Sequence, residues 1–215
     1  VLRDLYKERY LGGTAAIARN LSSFCSKITL LTNIGQKGEE RQFIKRNLQK
    51  NIKTFLLNKK SSSTIIKKRF VEDINKAKVL GVYSLNDHPL NFEQEQQFNN
   101  KILKYISSHD LVIVSDYGHG LISNNTAKLI IKNSKFLAVN TQLNASNLGF
   151  HVISKYFGAN LITINENELR HELRNKTDEV IILLKELSEK LKSIYTNVTR
   201  GGEGAYIYNR SKDKI

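Results

Sequence analysis

Two short stretches of this chain carry side chains able to handle phosphate and a divalent cation. In the first, the apolar, β-branched run Leu161, Ile162, Thr163, Ile164 gives way abruptly to Asn165, Glu166, Asn167 and Glu168. Asn165 and Glu168 are three residues apart, so on a helix that begins here they share one face. A carboxylate beside an amide suits the water shell of Mg²⁺, an ion that keeps several waters and takes few direct protein ligands. The same residues suit a plain helix N-terminus, where Asn caps and early Glu side chains complement the dipole. The second stretch is Thr199, Arg200, Gly201, Gly202, Glu203, Gly204, Ala205. Its glycines admit positive φ and let backbone N–H groups approach phosphate oxygens. A glycine-rich hairpin leading into Tyr206, Ile207 and Tyr208 would read the same way.

Such side chains need a strand that delivers them to the carboxyl edge of a sheet, where the ligands of open α/β sheets sit. Residues 161–164 supply one strand, 180–191 an apolar helix and 195–198 a second strand. Strand, Asn-x-x-Glu, helix, strand, Thr-x-Gly-x-x-Gly, in that order, resembles the second half of the PfkB carbohydrate kinases, the ribokinase-like family. The resemblance implies that Asn165 and Glu168 organise Mg²⁺ and the phosphates of ATP, and that Thr199, Gly201 and Gly204 lie against the nucleotide.

The first half of the chain extends the likeness. Leu11, Gly12, Gly13 and Thr14 open a helix in which Ile17, Leu21, Phe24 and Cys25 recur at helical spacing and predict one buried face. A strand over 27–32 follows, closed by Asn33, Ile34 and Gly35. This pattern resembles the first PfkB signature and is similar to the heptose 7-phosphate kinase branch. It implies that Gly12 and Gly13 let the helix N-terminus approach a sugar, where free N–H groups donate to hydroxyls or phosphate. The family usually places Asn three residues after the second glycine, and here that residue is Ala16. Residues 39–50 predict an amphipathic helix with Phe43, Ile44 and Leu48 inward, and 52–57 a strand. The β-rich segments 64–71 and 79–83 resemble strands that form a small lid in the family. Lys67 and Arg69 share one face of such a strand. They suit the phosphate of a sugar phosphate, Arg through its fork geometry, or equally a solvated edge strand defended by charge.

Residues 92–107 read as a helix with Phe98, Ile102, Tyr105 and Ile106 buried. Residues 110–115 form a strand too apolar on both faces to lie at a surface. Ser115, Asp116, Tyr117, Gly118, His119 and Gly120 match the Ser-Asp-Tyr-x-x-Gly motif of heptose kinase relatives. Asp116 either contacts substrate or holds a loop shut, and His119 reads as a loop residue rather than a base. A helix over 125–132 and a strand over 136–139 lead to an amide-rich loop that contains Asn140, Gln142, Asn144 and Asn147. Many relatives carry Asp-Pro-Lys there. Asn140, Thr141 and Gln142 resemble instead a PfkB branch in which the kinase follows a nucleotidyltransferase domain, which implies such a domain as a fused or separate partner.

The 215 residues, 40% of them hydrophobic, are enough for one domain with a real core. The alternation of strands and helices predicts a three-layer α/β/α fold with a mainly parallel sheet, to which the resemblance adds a small β lid, its strands within residues 1–10 and 62–85. The formal charge of +14 offers a nucleic-acid binder as a rival reading. The basic residues are spread along a chain equally heavy in Asn and Ile, which reads as compositional bias. Cys25 is the only cysteine and cannot form an internal disulfide. No apolar run approaches the roughly 20 residues of a bilayer span, so a cytoplasmic protein is expected. No Gly-x-x-x-x-Gly-Lys-Ser/Thr loop and no Gly-x-Ser-x-Gly elbow occurs, against a Walker-type kinase and a serine hydrolase. The family carries a Gly-Ala-Gly-Asp segment whose Asp is the general base on the sugar hydroxyl; that Asp is expected beyond Ile215. With no Met in the sequence, the chain reads as an internal piece, incomplete at both ends and inactive alone. Pairing of lid strands in the family implies a homodimer.

Overall fold

Gly12 takes the N-cap position of α1 (Gly13–Leu21) in an extended conformation, without side-chain help. The helix stops at Leu21 because Ser22 bonds back to the Arg19 carbonyl with its N–H at 3.3 Å and its hydroxyl at 2.6 Å, an alternative to continuing the helical ladder. Phe24 and Cys25 therefore lie past the helix rather than on its buried face. Phe24 is 86% exposed, and Ala15 and Ala18 make the buried face instead. They pack with Leu30 and Ile52, from β1 (Ile28–Gly35) and β2 (Ile52–Lys59), a parallel pair running in register from Ile28 opposite Ile52 to Gly35 opposite Lys59.

The computed structural model describes residues 3, 5–143, 147 and 153–215, in two compact units, Val1–Asn86 and Asp87–Ile215. Within the first unit α2 spans only Arg41–Arg46, not 39–50. Asn47 turns its side-chain amide onto the Phe43 carbonyl at 2.8 Å and ends the helix by the same local competition. β3 (Ile66–Val71) and β4 (Lys78–Ser84) form a separate antiparallel ribbon, inside the expected 62–85. β3 is exposed at every position. Residues 3 and 5–10 carry no strand, so they add none to the ribbon.

In the second unit the Asn91 side chain accepts from the Gln94 N–H and caps α3 (Phe92–Ile106), which buries Phe98, Ile102 and Ile106. There follow β5 (Val112–Asp116), α4 (Asn124–Asn133) with Ser123 as its cap, β6 (Leu137–Thr141), β7 (Leu161–Asn165), α5 (Glu166–Leu173), α6 (Val180–Leu191), β8 (Tyr195–Thr199) and β9 (Ala205–Asn209). The strands lie side by side in sequence order. β5 to β8 are parallel, and β9 runs antiparallel to β8. Val180, Leu183, Leu184, Leu187 and Leu191 bury one stripe of α6; α5 packs on β7 and β8, and α6 on β8 and β9. Asn140, expected in the loop, is a β6 residue whose amide donates to the Thr163 carbonyl at 2.8 Å. Most of the amide-rich loop, including Asn144, lies outside the described residues.

Candidate phosphate and nucleotide corner

Asn165 lies opposite Thr199 in the parallel register of β7 and β8, so both motifs leave the sheet side by side at its carboxyl edge. Asn165 Oδ1 accepts from the Glu168 N–H at 2.9 Å, and Glu168 Oε2 accepts from the Asn165 N–H at 2.9 Å. This reciprocal capping box fixes the start of α5. The other oxygen, Oε1, accepts from the Leu143 N–H at 3.1 Å, just past β6. A buried carboxylate is thus anchored by backbone donors from two neighbouring strand ends.

The helix-cap reading of these residues is realised, and it leaves further acceptor capacity, since each carboxylate oxygen offers about two lone-pair sites. Among the described residues no group of three or more His, Cys, Asp and Glu gathers to hold a metal. The spare acceptor sites of the Glu168 carboxylate fit an ion that takes few direct protein ligands, as Mg²⁺ does.

Beyond Thr199, which is exposed, the chain makes a single turn of 3₁₀ helix over Gly201–Glu203. The Arg200 N–H donates to the Gly204 carbonyl at 2.8 Å and closes it. Gly201 has φ +60° and Gly204 φ +88°. A Cβ added at Gly201, Gly202 or Gly204 would meet nothing within 4 Å, so conformation rather than space requires glycine at Gly201 and Gly204.

Sequence reasoning missed the charges that join these two motifs. Glu166, the first residue of α5, accepts at Oε1 from Nε and a terminal nitrogen of Arg170, at 3.0 and 2.8 Å. Its Oε2 accepts from Arg200 Nε at 2.9 Å. Arg200 also pairs with Glu203 at 2.5 Å and lies 5.4 Å over the Tyr206 ring. The Arg200 hydrogen bond, then that of Arg170, holds the Glu166 carboxyl below its ordinary value, and Glu166 raises Arg200 in return. The signal in the sequence was the opposite charge of Glu166 and Arg200 inside the two motifs. Only the strand register says that they meet.

Asp116 at the end of β5 is 6% exposed. Its Oδ2 accepts from the Tyr156 hydroxyl at 2.6 Å and pairs with Lys155 Nζ at 2.5 Å, while Oδ1 accepts from the Gly118 N–H at 2.9 Å. Of its two expected roles, holding the loop is the one this geometry supports. Burial first, and then the Asp116 charge, pushes the Tyr156 hydroxyl far up, so it remains a donor. His119 pairs through Nδ1 with Asp87 at 2.6 Å, as befits a loop residue.

The sugar-side candidates belong to the first unit. Gly12 and Gly13 are exposed at the start of α1, Gly13 with φ +54°. Lys67 and Arg69 stand opposite Tyr83 and Gly81 on the ribbon and share a face as expected. The Lys67 ammonium lies 5.7 Å from the Tyr83 ring. Lys78 donates to the Tyr83 hydroxyl at 3.2 Å, and this contact, with Arg69 as a smaller influence, draws the hydroxyl below its ordinary value. The structure gathers Asn165, Glu168, Thr199, Gly201 and Gly204 into one corner, whereas Gly12 and Gly13 lie on a different element from Lys67 and Arg69.

Known proteins resemble this chain in sequence and in fold. The chain is 27% identical over 212 residues to the bifunctional protein HldE of Campylobacter jejuni, a match covering 97% of the chain and 43% of that relative. It is 30% identical over 200 residues to HldE of Helicobacter pylori, with 91% and 41% covered. The chain thus spans about two fifths of the length of these curated relatives. Among solved structures, the tetrameric inhibited form of phosphofructokinase-2 from Escherichia coli superposes with a TM-score of 0.69 at 15% identity, over 96% of this chain and 70% of that one. Ribokinase from Giardia lamblia gives 0.68 at 16% identity, over 93% and 62%. These likenesses show a ribokinase-like α/β fold. Residues 5–215 match the model of the pfkB family carbohydrate kinases, and the chain belongs to that family.

Proposed function

We propose that this chain is the sugar-kinase part of a protein that transfers the terminal phosphoryl group of ATP to a hydroxyl of a sugar phosphate of the heptose 7-phosphate class. The observation that carries the reading is the corner itself: Asn165 opposite Thr199, with Glu168 and the glycine turn on adjacent strand ends. In it Glu168 and Asn165 would hold the water shell of Mg²⁺, which when bound neutralises charge on the phosphates. Thr199 and the Gly201 to Gly204 backbone would seat the nucleotide. Gly12 and Gly13 would donate backbone N–H groups to the sugar, and Lys67 and Arg69 would take its phosphate. Asp116 would hold the 117–120 loop rather than accept a proton. A nucleotidyltransferase domain as fused partner is supported by the bifunctional relatives.

The reading is tested by incubating the full-length gene product with MgATP and a panel of free and phosphorylated hexoses and heptoses, following ADP release. Turnover with a heptose phosphate above the other sugars is expected. Nucleotide binding without turnover on any sugar would favour a non-catalytic binding module, and absence of nucleotide binding would remove the reading altogether.

A further inference from the structure

The glycine turn is open on the sides where side chains would pack: a Cβ at Gly201, Gly202 or Gly204 meets nothing within 4 Å. Three glycines in four residues also cost backbone entropy to order. Something else must fix where the turn points, and the residue that begins it is tied down. Arg200 donates through Nε to Glu166 at 2.9 Å, pairs with Glu203 of the turn at 2.5 Å and lies over Tyr206 at 5.4 Å. Glu166 is itself clamped by the fork of Arg170, and Arg170 donates to the Asp178 carbonyl at 3.0 Å in the α5–α6 connection. The series Asp178, Arg170, Glu166, Arg200, Glu203 therefore links the connection behind α5 to the turn after β8. Glu166 and Arg200 are each about a quarter exposed, at 26% and 24%.

We infer that Glu166 is a positioning residue for the nucleotide: through Arg200 it sets the Gly201–Gly204 turn against the Asn165–Glu168 corner, so that both face one ligand. This rests on the kinase reading above. It adds to that reading a role for two side chains, Glu166 and Arg200, that neither the capping box nor the closure of the turn requires. The capping box needs only Asn165 and Glu168, and the turn closes through its own backbone. With the link cut, α5 and β8 keep their places while the turn samples several positions. The nucleotide then has to order it on binding, which weakens binding by the cost of that ordering.

The test is a double-mutant cycle in the full-length gene product, with Glu166→Gln, Arg200→Gln and the pair. The Kd of a fluorescent ATP analogue with Mg²⁺, the KM for MgATP, kcat and thermal unfolding are read for each. Expected is a loss of nucleotide affinity of about fivefold in each single variant, the upper range for an ion pair open to solvent. kcat at saturating MgATP should stay within about twofold, as for lost uniform binding. The pair should lose less than the product of the two single losses, because both changes remove the same Glu166–Arg200 contact. Wild-type binding that persists unchanged in Glu166→Gln, or losses that multiply in the pair, would overturn the inference while leaving the kinase reading intact. A wild type that binds no nucleotide would overturn both.

Discussion

The Tyr156 hydroxyl donates to Asp116 Oδ2 across 2.6 Å, joining residues 40 positions apart in a site where Asp116 is 6% exposed and Tyr156 fully buried. This bond fastens the end of β5 to the 3₁₀ turn at Ile153–Tyr156. Tyr156→Phe keeps the ring and removes the donor, leaving the buried carboxylate with one partner fewer. It should cost about 1–3 kcal/mol, measured as a shift in the urea midpoint at unchanged slope.

The same bond has a pH signature. Burial and the Asp116 charge raise the Tyr156 hydroxyl far above its unfolded value. The folded chain therefore keeps a proton that the unfolded chain gives up once pH passes the ordinary tyrosine range, and stability falls with rising pH from there on. Below that range the contribution is fully present and flat. Unfolding free energies followed into alkali should fall more steeply for the wild type than for Tyr156→Phe.

At the start of α5, Asn165→Ala removes the side-chain half of the capping box and should cost about 1 kcal/mol of stability. Under the proposed function it should also raise the Mg²⁺ concentration needed for half-maximal turnover, whereas Asn165→Asp should retain the cap. Thermal unfolding and a Mg²⁺ titration of activity separate the two effects.

Gly120 has φ +72°, and a Cβ there would sit 2.1 Å from the His88 carbonyl oxygen and 2.6 Å from that of Asp87. The Gly120 carbonyl accepts from the Leu90 N–H at 3.1 Å, so the two segments cannot simply part. Gly120→Ala should destabilise by about 2–4 kcal/mol through strained conformation and overlap together. Denaturant unfolding measures it.

Lys192, which ends α6 in the left-handed region with φ 55°, presents the opposite case. Glycine at that place avoids the Cβ penalty and loses only the exposed contact to Glu189 at 3.2 Å. Lys192→Gly should be neutral to stabilising by about 0.5 kcal/mol once the added freedom of the unfolded chain is counted, seen as a small rise in Tm.

Periodicity and punctuation made the second unit legible. Residues 180–191 read as a helix from their apolar spacing and form α6 with those bounds; the strands read from 161 and from 195 start at those residues. In the first unit the same spacing misled, because Ser22 and Asn47 end α1 and α2 by bonding to nearby carbonyls. Apolar period carries no trace of such local hydrogen bonds, and that is why Phe24 is exposed and α2 is short. Within the site, the fixed intervals of Asn165, Glu168 and the glycine turn were readable. The Glu166 to Arg200 pair and the Tyr156 to Asp116 bond were not, since they span 34 and 40 residues and depend on strand register.

The side-by-side order of β5 to β9 has a consequence for how the chain is made. Among the described residues no strand of this sheet has to be inserted between two already placed. Each new strand finds its docking edge on the one synthesised just before it, so every pairing joins strands that are consecutive in the chain. Assembly of the second unit can therefore follow emergence from the ribosome, one strand at a time from β5 onward, with little waiting for distant sequence.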